Sequence, residues 1–155
     1  MKGIQHHTDD FSKAFESAFA SLQVGVEAAC AAEDEWPAQI AAGIRAALYF
    51  AASNPAAAQA LTTDALAAGR QGFVRYDRMI AYFGDLLLPG LALRPEGERL
   101  PEITGRAMAG GVATLVTRRL EEGLENELLA LASEAVQFVL TPYLGAEWAA
   151  EVAAK

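Results

Sequence analysis

"FVRYDRMIAYFGDLLL", residues 73–88, carries Phe73, Tyr76, Ile80, Phe83 and Leu87 at successive intervals of three, four, three and four. That spacing lays five apolar side chains along one stripe of an α-helix. No segment of the chain shows the sustained two-residue alternation of a half-buried strand. The chain therefore reads as all-α, and punctuation on both sides of this stretch divides it into six to seven helices.

Upstream, "TDDF" at 8–11 offers N-caps for a first long helix running to about residue 33. Asp34 is placed to cap a second helix, with Pro37 in its first turn, that ends at Ser53. Asn54 and Pro55 open a third helix, which Gly69 stops. The fourth spans about 71–88. Downstream, "LPGLALRPEGERLP" (88–101) is the one evident loop. Pro101 starts a fifth helix and Gly123 ends it. A sixth runs over about 125–141, and Pro142 and Gly145 break it before a short C-terminal helix at 146–154.

With 155 residues, the chain fits one domain, 1–155, large enough to bury a core without metals or disulfides. Hydrophobic residues make up 53%, many of them alanine, which favours close helix packing over bulky burial. Twelve basic residues stand against twenty acidic ones, a net charge of −8, which argues against nucleic-acid binding by these residues. Cys30 is the only cysteine and reads as a small buried apolar residue of the first helix. No apolar run approaches a membrane span and no export signal is visible, so a soluble cytoplasmic protein is expected.

Few residues suggest chemistry. His6 and His7 adjoin Asp9 and Asp10, but adjacent residues at a terminus do not preorganise a metal site, and no metal is expected. The carboxylates of "AAEDEWP" favour a helix N-terminus rather than catalysis. No phosphate loop, CxxC or HExxH is present. The reading is a protein that is not an enzyme and carries no cofactor.

Two glycines in mid-helix, each costing about 1 kcal/mol relative to alanine, single out the fifth helix. Met108, Val112 and Leu115 form its apolar face, while Ala107, Gly110, Gly111 and Thr114 form a strip of very small residues. Such a strip permits a close approach, to a partner helix or beneath a ligand. The sixth helix carries two apolar stripes: Leu124, Leu128, Leu131, Ala135 and Phe138, and Leu129, Ala132, Val136, Val139 and Leu140. Two faces imply two things to pack against, one of which can be a second subunit.

"WPAQIAAGIRAALYFAASNPAAAQAL" (36–61) and "AMAGGVATLVTRRLEEGLENELLALASEAVQFVLTPYLGAEWA" (107–149) together resemble the C-terminal regulatory domain of the TetR family of transcriptional regulators. Trp36, Asn54, Pro55, Ala58, Gly110, Gly111, Gly123, Leu128, Leu131, Val136 and Pro142–Gly145 occupy the family pattern, over roughly residues 7–153. The resemblance implies a homodimer whose last two long helices pair in a four-helix bundle. Its interface would run over Ala107, Gly110, Gly111, Thr114 and Arg118, and over Leu128, Leu131, Ala135 and Phe138. It also implies a cavity among the earlier helices for a small hydrophobic or amphipathic effector, with strain transmitted through the first helix. The helix-turn-helix head of the family has no counterpart in these residues, so operator DNA is not expected to bind them directly.

Candidates for the cavity wall are Phe15 and Phe19 of the first helix, Tyr49 and Phe50 of the second, and Tyr76, Met79 and Phe83 of the fourth. Met108 and Val112 of the fifth complete the set. Buried phenols need partners that a ligand could supply, and methionines suit a permissive pocket. The competing reading is a helical dimerisation module whose cavity is packed shut and which pairs with a full-length regulator.

Overall fold

The computed structural model describes residues 2–155. Its helices are α1 (Lys2–Ala31), α2 (Trp36–Ser53), α3 (Pro55–Leu61), α4 (Thr63–Ala67), α5 (Gly69–Asp85), α6 (Thr104–Glu121), α7 (Ala132–Leu144) and α8 (Ala146–Ala153). There is no strand among the described residues, as the periodicity of 73–88 predicts. α2 lies at the centre. It packs along α1 on one side and against α7 and α8 on another, with α3 returning beside it. α5 pairs with α6 and α4, and α7 with α8.

Several boundaries differ from expectation, each for a local reason. α1 begins six residues before Thr8, so "TDDF" lies inside the helix; Ser12 Oγ donates to Thr8 O, a bond within one helical turn. The residue that enters α2 in extended conformation is Glu35, not Asp34, and it makes no side-chain capping bond. Asn54 does precede α3 with Pro55 at the first position, but its Nδ2 donates backwards to Phe50 O. The expected third helix is split at Thr62. There Oγ1 takes Ala58 O (2.7 Å) and the backbone N–H moves to Gln59 O, which bends the chain into α4.

The 88–101 loop is partly ordered as 3₁₀ turns over Leu88–Leu93 and Glu96–Glu98. Pro101 lies before α6 rather than in it. α6 ends as expected at Gly123, whose φ of +69° suits glycine. The Leu124 N–H reaches Arg119 O and the Gly123 N–H reaches Leu120 O, the paired bonds of a Schellman turn. The sixth helix is shorter than read. Residues 125–131 form two 3₁₀ turns that bring Leu128 to complete burial, and α7 proper starts at Ala132. Pro142 does not break α7. It sits in the last turn, where one lost bond is tolerable, and Gly145 closes the helix on Thr141 O.

Three groups of buried side chains form the interior. One joins α2 to α7 and α8 around Ile40, Val136, Leu140 and Tyr143. A second joins α1 to α5 around Phe15, Phe19, Met79 and Ile80. The third joins α2 and α3 to the end of α6 around Leu48, Ala58, Leu120 and Leu128. Trp36 ties the first group together: its Nε1 donates to Leu86 O at 3.1 Å and its ring meets Tyr143 edge-on at 5.4 Å.

Gly72 is set by the tightest turn, since a Cβ there would lie 2.0 Å from Ala65 O. Gly72→Ala is expected to lower stability by about 2 kcal/mol or more through overpacking against backbone. Gly25→Ala meets nothing within 4 Å in mid-α1 and should gain up to about 1 kcal/mol. Urea denaturation of the two variants measures both; equal shifts would contradict the packing at α4–α5.

Candidate functional site

The three buried groups do not close on one another. Between them lies a cavity of about 140 Å³. α1 contributes Leu22, Val26 and Cys30 to its wall, and α2 contributes Ile40, Ile44 and Phe50, with Gly43, Ala47 and Ala51 between them. α5 supplies Met79, Ile80 and Phe83, and α6 supplies Ala109, Val112, Ala113 and Val116. The wall holds no charged side chain. Its polar side chains, Thr62 and Cys30, are both engaged: Thr62 Oγ1 with Ala58 O, and Cys30 Sγ with Gln39 O at 3.3 Å. Apolar cavities of about 150 Å³ stay dry and hold benzene-sized molecules.

Four of the residues read as cavity candidates line this space: Phe50, Met79, Phe83 and Val112. The others lie elsewhere. Phe15 and Phe19 are buried in the α1–α5 core beyond the cavity. Tyr49 is 63% exposed, because its neighbour Leu48 takes the inward side of α2. Tyr76 packs half-buried against the α1–α5 core, and burial raises its pKa. Met108 packs against the α2–α7–α8 core. Cys30 is only partly buried; burial, and then the charge of Glu27, push its thiol pKa up. The wall residues that the sequence reading missed were aliphatic or small. Their signal was present as the four-residue spacing Leu22, Val26, Cys30 on α1, which continues the Phe15–Phe19 stripe.

α1 and α5 are joined on their outer side by polar contacts. Glu16 accepts two bonds from Arg78 Nη2, at 2.6 and 2.7 Å, and lies 3.7 Å from Arg75 Nε. The Arg78 guanidinium lies 5.8 Å from the Phe19 ring centre. Arg78 and Glu16 are about half exposed and Arg75 a quarter exposed, so each pair contributes less than about 1 kcal/mol. Farther along, Tyr82 O–H donates to Glu27 at 2.5 Å. Burial, reinforced by this bond to a carboxylate, pushes the Tyr82 pKa up to about 12.

The small-residue strip of α6 has two different halves. A Cβ on Gly111 would lie 3.0 Å from Phe138 Cε1, so this glycine makes room for a ring of its own chain. A Cβ on Gly110 would meet nothing within 4 Å. Ala107, Thr114 and Arg118 are exposed beside it, as are Leu115 and Phe138 (43% and 44%). Leu131 is half-buried. Leu128 and Ala135, read as interface residues, instead lie inside the chain's own core at 0% and 3% exposure and offer no surface to a second copy.

His6 and His7 are exposed on the first turns of α1. Among the described residues no three His, Cys, Asp or Glu side chains gather as a metal site, and no helix is long and apolar enough to cross a membrane. Comparison with models of known families, with curated proteins and with solved structures finds no match for this chain.

The Tyr82 phenol is held protonated in the fold above its ordinary value, so its contribution to stability is complete below about pH 10 and is lost as pH rises towards 12. Ultraviolet titration should place one phenolate near pH 12, and Tyr82→Phe should remove that equivalent. Glu27→Gln should bring that phenolate below pH 12, and an unchanged titration in Glu27→Gln would refute the Tyr82–Glu27 bond.

Proposed function

We propose that this chain is the small-molecule-sensing and dimerisation domain of a TetR-like transcriptional regulator, taking a hydrophobic effector between α1, α2, α5 and α6. The observation that carries this reading is the cavity: a space of about 140 Å³ with no charged wall group, left open where three cores meet. A molecule seated there touches Leu22, Val26 and Cys30 on one side and Met79, Ile80 and Phe83 on the other. Filling it bears on the seam between α1 and α5, whose outer contacts are weak and solvent-exposed. α1 thus becomes the element that moves. The resemblance in sequence supplies the regulatory context, and no catalytic step is invoked.

Pairing of two copies is assigned to the α6–α7 surface carrying Ala107, Gly110, Thr114, Leu115 and Phe138. Gly110 is the better probe of that surface, because Gly111 already has an explanation within the chain.

One observation favours the second reading, a dimerisation module without a ligand. The cavity is smaller than the roughly 300 Å³ at which sites for drug-sized ligands begin.

Native mass spectrometry separates these readings. The expected result is a dimer that binds added apolar compounds, and a monomer at micromolar concentration would overturn the pairing. Gly110→Leu should yield a monomer with an unchanged helical spectrum, since a Cβ at 110 meets nothing within 4 Å in its own chain. Ala113→Leu, which extends into the cavity, should stabilise the unliganded protein by about 1 kcal/mol and abolish uptake. Uptake retained in Ala113→Leu would place the ligand elsewhere.

A further inference from the structure

The cavity adjoins a second hollow at one corner. On the outside of the molecule, where the end of α1 meets the start of α2 and the end of α5, Val26, Glu27, Cys30, Ala31, Gln39 and Leu86 line this hollow. Val26, Cys30 and Leu86 belong to both hollows, so the two adjoin at this corner. Cys30 stands between the two hollows. Its Sγ is held by a weak 3.3 Å contact to Gln39 O, and behind it stands Gly43, whose missing side chain leaves the sulfur room.

The charged residues on the rim of this hollow and on the connection to α2 are acidic. Glu27 stands on the rim, and Glu33, Asp34 and Glu35 follow on the connection to α2. No lysine or arginine occurs between residues 14 and 44, or between 79 and 93. Inside, an ionised group would find no counter-charge and no free hydrogen-bond donor on a side chain, which makes its transfer from water strongly unfavourable. Rim and interior therefore select alike.

We infer that the cavity is filled past Cys30, through the corner between α1, α2 and α5, and that it takes uncharged arenes or short alkanes of about benzene size while refusing carboxylates of the same size. One hydrogen-bond donor on the ligand is tolerated, because Thr62 Oγ1 donates to Ala58 O and keeps a lone pair to accept. This inference rests on the reading of the cavity as an effector site. It adds the route and the charge class of what enters.

The test uses the whole chain with toluene and benzoate as matched probes, and the neutral thiol reagent methyl methanethiosulfonate at Cys30. Calorimetry should detect toluene and not benzoate. Saturating toluene should slow modification of Cys30 by about tenfold, because it occupies the space behind the sulfur. Protein already carrying the methylthio group should take up toluene about tenfold more slowly than unmodified protein, by stopped-flow fluorescence. Ala113→Leu should bind neither probe, while its Cys30 is modified at the unliganded rate. Benzoate bound as tightly as toluene would overturn the charge selection. Toluene binding without protection of Cys30, and without slowing by the methylthio group, would overturn the route. If neither probe binds, it is the effector reading that fails, and this inference falls with it.

Discussion

The slenderness of α2 is the constraint on which the rest of the molecule depends. The helix lies between α1 on one side and α7 and α8 on the other, with α3 beside it. It can hold those neighbours close because Ala41, Gly43, Ala47 and Ala51 present almost no bulk. At the crossing with α1, a methyl group on Gly43 would already stand 3.0 Å from the Cys30 sulfur. Close axes gain dispersion contacts along the whole helix, but small side chains fill little volume. Where Gly43, Ala47 and Ala51 face Ala109 and Ala113 of α6, neither partner reaches the middle, and the cavity is the space left over.

α1 has two consecutive roles along a single stripe. Its first half packs Phe15 and Phe19 against α5, with Tyr82 and Phe83 meeting the Phe19 ring edge-on, and this half is solid core. Its second half turns Leu22, Val26 and Cys30 toward the cavity, across which stand Met79, Ile80 and Phe83 of α5. The helix is therefore anchored firmly at one end and supported through a void at the other. In the proposed reading, this asymmetry makes α1 responsive to occupancy.

Helix existence was legible in the sequence, because apolar spacing and Gly or Pro punctuation act locally. Gly123 ended α6 as read, since a left-handed backbone leaves few alternatives. Capping and interruption were less legible because they depend on competition. Asp34 lost its capping role to backbone geometry at Glu35, Thr62 turned its hydroxyl back on its own helix, and burial of Leu128 replaced the first turns of a helix with 3₁₀ geometry. At the site, large aromatic residues drew the reading. Phe50 and Phe83 rewarded it, while Tyr49 and Phe15 faced solvent and solid core. A wall built chiefly of alanine and aliphatic residues is hard to see in a sequence where alanine is everywhere.

The adjacent glycines of α6 answer to different constraints. Gly111 is matched to the Phe138 ring, and a larger residue at 111 requires that half-exposed ring to shift. Gly110 has no such companion within the chain, and helix propensity alone would drift it toward alanine. Its persistence in descendants of this sequence would be a record of selection by something outside the chain, written one residue away from a glycine whose persistence records only internal fit.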